Sequence, residues 1–183
     1  MKKTLGLVII LGLAATPALA QKVNIDYAHE FDFSAVKTFQ YVETKESDSA
    51  NPMMQERIVS SIKRELTEGG LKEVTSDPDL FVTSHVTTQE RTVYNTTNFG
   101  YGGYGGGWYG WGGSMGSSTT TASNYTDGTL IIDAYKPDDK KMVWRGTGTV
   151  TVKSKPEKQI KQIDKILAKL GNKWDKILAG QGK

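Results

Sequence analysis

The chain of 183 residues contains no cysteine. Disulfide bonds, thiolate nucleophiles and cysteine-rich metal sites are therefore excluded, and so is a lipid anchor on an N-terminal cysteine. Histidine is also scarce: only His29 and His85 occur, and neither stands in a spacing typical of metal ligands. We predict no metal site, no cofactor and no catalytic residues.

The net charge is small, because the chain has 23 lysines and arginines and 20 aspartates and glutamates. Two of those lysines, Lys2 and Lys3, precede the apolar run Leu5–Ala15, and the pattern Ala18-x-Ala20 follows it. This order of a charged start, an apolar run and a small-residue cleavage pattern is typical of a secretory signal peptide. The run has 11 residues, whereas a membrane-spanning helix needs about 20.

We therefore predict that residues 1–20 are a cleaved signal peptide and that residues 21–183 form a single α+β domain. The predicted location is the periplasm, with secretion as the alternative. Without Lys2 and Lys3 the chain carries 21 basic and 20 acidic residues, which gives no general attraction to nucleic acid or to an acidic membrane. We predict no nucleic-acid partner and no transmembrane span in the mature chain.

The segment Gly128–Val152 is the predicted centre of the fold. Two stretches rich in β-branched and aromatic residues, Thr129–Tyr135 and Lys141–Val152, flank a turn centred near Asp138. The pattern predicts an antiparallel hairpin.

That turn sets the expected register of the hairpin. It places Ile132 opposite Trp144, and it places Asp133 diagonal to Arg145 on the other face of the sheet. We interpret the charged pair as an exposed ion pair of small energetic value.

Further strands and two helices are predicted around the hairpin. The strands are Val23–Tyr27, Lys37–Val42, Leu71–Val74 and Leu80–Arg91. The first helix begins at Asn51-Pro52, ends at Gly69-Gly70 and has the apolar stripe Met54, Ile58, Ile62 and Leu66.

The last helix is predicted to begin at a capping box formed by Ser154 and Glu157. Its apolar stripe is Ile160, Ile163, Leu167, Leu170 and Trp174, and we expect Gly171 to end or bend it. Lysines fill the opposite face, which we interpret as a solvated surface in preference to a membrane-binding one.

One segment is unusually rich in glycine and aromatic residues. Gly100–Gly116 reads GYGGYGGGWYGWGGSMG, with glycine at 10 of 17 positions. We predict a loop at about 94–124, between a strand that ends near Val93 and one that begins near Tyr125. Loops of about 30 residues are usually functional or disordered, and glycine makes the backbone costly to order.

Two interpretations of this loop stay open. In the first, aromatic side chains contact an envelope protein or a glycan; these candidate contacts are Tyr101, Tyr104, Trp108, Tyr109 and Trp111. In the second, the loop is a tolerated insertion that folds back onto its own domain. A phosphate-binding loop is not indicated, because the glycines lack the required lysine and hydroxyl residue after them.

Several short motifs occur in order along the chain: Asp26-Tyr27, Phe33-Ser34, Lys37-Thr38-Phe39, Asp77-Pro78-Asp79-Leu80, Gly128-Thr129-Leu130-Ile131-Ile132-Asp133 and Val143-Trp144-Arg145-Gly146. In this order and spacing the chain resembles the bacterial envelope family called domain of unknown function 4136, many of whose members are regarded as lipoproteins. The resemblance covers the chain from Val23 to the last helix. It implies a fold and an envelope location, and it implies no activity and no site residues. The chain departs from the lipoprotein pattern because it has no cysteine to acylate.

The predicted fold class is α+β: an antiparallel β-sheet with two helices packed on one face and a long Gly/aromatic loop between two strands. The predicted function is that of a non-catalytic binding or adaptor module of the periplasm or cell envelope. One alternative is a structural envelope protein that self-associates through the loop. A less favoured one is a hydrolase that uses Asp26, Asp32, His85 or Asp133, whose mutual geometry the spacing does not reveal.

Overall fold

A computed structural model describes residues 21–43, 51–99 and 117–181. The elements are β1 (Lys22–Tyr27), a 3₁₀ turn (Phe33–Ala35), β2 (Thr38–Tyr41), α1 (Pro52–Glu68), β3 (Lys72–Glu73), β4 (Leu80–Phe99), β5 (Ser117–Tyr135), β6 (Met142–Thr151) and α2 (Pro156–Gln181). The predicted α+β class is confirmed.

The six strands form one sheet in the order β1-β6-β5-β4-β2-β3. The pairs β1–β6, β6–β5 and β5–β4 are antiparallel, as expected. Strand β2, however, runs parallel to both β3 and β4, so the sheet is mixed. The reason is the crossover through α1, which returns the chain to the same edge in the same direction.

The predicted hairpin is present, but its register differs by two residues from the expected one. Ile132 pairs with Gly146, and Trp144 pairs with Ala134. The expected pairing of Ile132 with Trp144 is wrong for two reasons. The pair Tyr135 and Met142 next to the turn is already displaced by one residue, and a β-bulge between Ala134 and Tyr135 adds the second.

Glycines in β6 let helix α2 lie close to the sheet. A Cβ on Gly148 would overlap the side chain of Ile166, and a Cβ on Gly146 would overlap the ring of Trp144 and approach Leu170 to 3.2 Å. The buried core continues over both helices and the sheet: Phe39, Ile58, Ile62, Leu80, Val82, Leu130, Ile132, Ala134, Val143, Ile166, Leu167 and Leu170.

Helix α1 begins as predicted. The side chain of Asn51 accepts a hydrogen bond from the Met54 amide at 3.1 Å, and Pro52 occupies the first turn. Gly70 follows the helix with a φ of 94°, a left-handed conformation that suits glycine.

Helix α2 differs from the prediction at both ends. The Lys155 carbonyl accepts the first helical bonds, from Lys158 and Gln159 at 3.0 and 3.1 Å, so Lys155 and not Ser154 is the N-cap. The predicted capping box is wrong because Pro156 fixes the start one residue later. The helix also continues through Gly171, whose missing side chain admits the Glu65 carboxylate of α1.

The contact between Ile166 and Gly148 makes a prediction for stability. Gly148→Ala should lower the free energy of unfolding by about 1–3 kcal/mol, because the added methyl group overpacks the core. Thermal unfolding measures the change. The same glycine substitution should cost less in an Ile166→Ala background, which removes the Cγ2 and Cγ1 atoms that the new methyl group would meet. An unchanged melting temperature for Gly148→Ala would contradict this packing.

Candidate functional site

The five predicted aromatic contacts, Tyr101, Tyr104, Trp108, Tyr109 and Trp111, lie outside the described residues. The segments on either side of them are described and differ from the expectation. Strand β4 continues to Phe99 and β5 starts at Ser117, so residues 94–99 and 117–124 are strand and not loop. These segments are rich in threonine, which suits extended backbone even where no face is buried.

Strands β4 and β5 extend beyond the rest of the sheet. Pairing of β5 with β6 ends at Asp127 and Thr151, and a last hydrogen bond joins the Val152 amide to the Thr126 carbonyl at 2.7 Å. Beyond that point residues 90–99 and 117–126 pair only with each other among the described strands. We call these two segments the arm; 10 residues of strand reach roughly 33 Å.

The arm has a polar surface and buries little of it. Tyr94 is 70% exposed, and most neighbouring side chains are exposed as well. Hydrogen bonds link side chains across the ribbon, from Thr92 to Asn124 at 2.9 Å and between Thr96 and Thr120 at 3.1 Å. The arm is therefore held by its main-chain ladder and by polar cross-strand pairs.

Both edges of the arm present main-chain groups that no described strand pairs with. The Val82 carbonyl points away from β5 and accepts a bond from Val42 at 2.8 Å, and the β4–β5 register continues without a shift to Phe99. Even-numbered residues of β4 and β5 therefore direct their N–H and C=O groups outwards along the arm. Tyr94 and Ala122 are one such pair, with a free amide on each edge.

Asp127 fixes the base of the arm to the body. Its carboxylate accepts hydrogen bonds from the Thr151 hydroxyl at 2.7 Å and from Arg91 Nε at 3.1 Å, and so it connects β5 with β6 and β4. These bonds, that from Thr151 first, lower the pKa of Asp127 below its ordinary value. The Arg91 guanidinium also lies 5.6 Å from the centre of the Tyr125 ring.

Asp133 and Arg145 form a two-pronged ion pair on the sheet. Arg145 donates from Nε and from its second terminal nitrogen to the two Asp133 oxygens, at 2.6 and 2.8 Å. Asp133 is only 3% exposed, whereas the Arg145 side chain is 41% exposed, so the pair is half-buried and not exposed as expected. The two residues stand directly opposite each other, and the hydrogen bond with Asp133 raises the pKa of Arg145.

Three of the four hydrolase candidates lie on one face of the sheet, and the fourth, Asp32, lies outside the strands. Asp26 and Asp133 stand on either side of Arg145 in neighbouring strands. His85 of β4 lies on the same face of the sheet, diagonal to Asp133. Asp32 caps the 3₁₀ turn and accepts bonds from the Ser34 amide and hydroxyl at 2.9 and 2.6 Å. Those bonds lower the pKa of Asp32 and give it a structural role.

An open depression of about 510 Å³ lies where the turns meet. It is lined by four aspartates with Lys136 and apolar residues: Asp32, Asp77, Asp79 and Asp138. Asp79 accepts bonds from the Lys37 and Thr38 amides at 2.9 and 2.8 Å, which lower its pKa and tie the start of β4 to β2. In the part of the chain described by the structure, no three acidic, histidine or cysteine side chains are grouped to hold a metal ion.

None of the helices within the described ranges is long and apolar enough to cross a membrane. The chain has no cysteine.

Residues 23–172 match the family described as Domain of unknown function (DUF4136), and the chain belongs to that family. No curated protein matches it. Among solved structures it is similar to a PDZ domain protein from Parabacteroides distasonis, with a TM-score of 0.49 and 14% identity over 79% of this chain. The chain spans 34% of that protein.

A second similar structure is the PelC dodecamer from Paraburkholderia phytofirmans. The TM-score is 0.44 and the identity 13%, over 81% of this chain and 95% of that one.

From the hydrogen bonds of Asp127 we predict how the stability of the protein depends on pH. The stabilisation by this carboxylate is present above its unfolded pKa of about 3.9 and is lost as the pH falls through the lower folded pKa. Thr151→Val removes the first of its two donors, so the pKa of Asp127 should rise towards its ordinary value. A carboxyl NMR titration measures this shift, with Thr147→Val as the control on the same strand. Equal pKa values in the three proteins would show that Thr151 does not hold the carboxylate.

Proposed function

We propose that the protein is a non-catalytic binding or adaptor protein of the cell envelope and that the arm is the part that meets its partner. The observation that carries this proposal is the arm, whose two strands continue beyond the sheet with no described neighbour on either edge. A two-stranded ribbon is at best marginally stable in water on its own. It therefore gains stability when a partner covers it.

The open edges favour strand addition as the mode of contact. Main-chain groups along an exposed edge can pair with an extended segment of another chain, which supplies affinity without a deep pocket. Exposed edges are normally protected by charged residues or proline, yet residues 92–126 contain no charged residue and no proline. Apart from Glu90 and Arg91 at its base, nothing in the composition of the arm opposes such pairing.

The glycine and aromatic segment supports the same proposal from the sequence. Gly100–Gly116 connects the two strands of the arm, and its tyrosines and tryptophans would add flat contact area for an envelope protein or a glycan. The periplasmic location rests on the signal-peptide pattern in residues 1–20.

A capture experiment with two variants tests where the partner binds. In the first, Asn-Gly replaces Gly100–Gly116 and closes the hairpin tightly. In the second, Tyr94→Pro and Ala122→Pro remove one outward amide from each edge and leave the inner ladder intact. We expect partner capture from envelope extract, or binding to isolated envelope glycan, to be lost in at least one variant.

The matched control for the edge variant is Tyr94→Ala with Ala122→Ser, which keeps both amides. Loss in the proline variant alone assigns the contact to the edges, and loss in the shortened variant alone assigns it to the aromatic segment. If both variants are folded and retain the partner of the parent protein, the arm is not the binding element.

Self-association is a second candidate function, favoured by the same unprotected edges. The edge of β5 in one copy could pair with the same edge of a second copy about a two-fold axis, because an antiparallel pair is its own complement. Light scattering over a concentration series should then show a dimer that the proline variant loses and the control variant keeps. A molecular mass that stays at that of the monomer over the series would exclude this candidate.

A further inference from the structure

Helix α2 carries a row of lysines along its length. The members follow one another at steps of three or four residues, which keeps them on one side of a helix: Lys158, Lys161, Lys165, Lys169, Lys173 and Lys176. Five of them are exposed and Lys173 is half-buried. The 19 residues from first to last span about 27 Å. We call this set the lysine row.

The positive charge of the lysine row is not neutralised within the described part of the chain. The ion pairs there involve other residues. Lys169 and Lys173 donate only to neutral oxygens, the Gln21 carbonyl at 3.3 Å and the Asn24 side chain at 3.5 Å. Asp164 of the same helix turns the other way, to Ser61 and Arg64 of α1.

Charge is divided unevenly between α2 and the remainder of the protein. The helix has six lysines and three acidic residues, a net charge of +3. After residue 20 the rest of the chain has 15 basic and 17 acidic residues, a net charge of −2. A molecule with this asymmetry turns its basic side towards an anionic surface.

The lysine row is held in a fixed orientation by the opposite side of the helix. Ile166 and Leu170 pack onto the glycines of β6, and Trp174 makes edge contacts with Tyr27 and Phe33 at centroid distances of 5.2 and 4.7 Å. The apolar side of α2 is thus used for the core. The row offers charge without an apolar wedge, so its contacts lie at a surface and do not insert.

The position of Gln21 indicates which anionic surface the lysine row contacts. Gln21 contacts α2 twice, because its side-chain amide donates to the Gln162 carbonyl at 3.4 Å and its carbonyl accepts from Lys169. In the sequence five residues separate the end of the apolar run Leu5–Ala15 from Gln21. Gln21 is the first residue after the predicted signal peptide, which is removed at the membrane that the chain crosses, so the exported protein is released next to a bilayer.

We propose that the lysine row of α2 docks the protein on a bilayer through the phosphates of anionic phospholipid headgroups. Each lysine held near such a surface strengthens binding by a factor of about five. Binding of this kind weakens as salt screens the charges. It is independent of the arm, which leaves the arm free for a partner.

Vesicle co-sedimentation tests the proposal with protein purified from bacteria that express the full chain. The vesicles are phosphatidylcholine with and without phosphatidylglycerol, at low and at high salt. We expect binding only to the vesicles with phosphatidylglycerol and only at low salt. The variant Lys158→Gln, Lys161→Gln and Lys165→Gln should bind at least about tenfold more weakly.

Two further variants separate charge at the row from total charge and from folding. Lys72→Gln, Lys140→Gln and Lys141→Gln remove the same charge elsewhere and should leave binding unchanged. Lys158→Arg, Lys161→Arg and Lys165→Arg keep the charge and should retain binding to the vesicles.

Absence of binding to phosphatidylglycerol, or equal binding by the two glutamine variants, overturns the proposal. Binding to a soluble acidic polysaccharide but not to the vesicles would also overturn it and would assign the row to that polymer instead.

Discussion

The contact of Ile166 with Gly148 positions the rest of the structure. The glycine leaves no Cβ between the helix and the sheet, so α2 lies directly on β6. From there Leu170 reaches Gly146, and Gly171 gives α1 room to pack alongside through Glu65. With the apolar side of α2 fixed in this way, the lysine row can only face away from the core.

A second constraint is the unequal length of neighbouring strands. β4 and β5 have 20 and 19 residues, whereas β6 has 10. The body of the sheet can pair and cover only the inner parts of the long strands. Asp127 stands where this change occurs, bonded to Thr151 and Arg91. On one side of it the ribbon belongs to a packed sheet, and on the other it is exposed on both faces.

Much of the fold could be predicted because its signals are local. Asn51-Pro52 marked the start of α1 through cap chemistry, and β-branched alternation marked β5 and β6. The register of β5 with β6 was harder to predict from the sequence, since a bulge at Ala134 and Tyr135 depends on how the whole hairpin packs. The direction of β2 is set by the crossover through α1. The alternation of apolar and polar residues along a strand does not reveal its direction in the sheet.

The candidate site was harder to predict for a different reason. Strand signals from alternation require one buried face, and the arm buries neither, so Thr92–Phe99 was partly interpreted as loop. Ile166 was absent from the predicted stripe because its partner is a glycine, which offers no apolar side chain to match. The burial of Asp133 likewise depends on its neighbours, since a charged residue is hidden only where a partner such as Arg145 satisfies it.

The two proposed surfaces rely on different forces, and this separates them physically. Residues 92–126 carry no charge, so any pairing along the arm depends on main-chain hydrogen bonds and ring contacts. The lysine row acts through charge, which salt screens within about 10 Å at moderate ionic strength. Ionic strength therefore acts on one surface and hardly on the other. A protein built in this way can release a bilayer and keep its partner, because no residue contributes to both contacts.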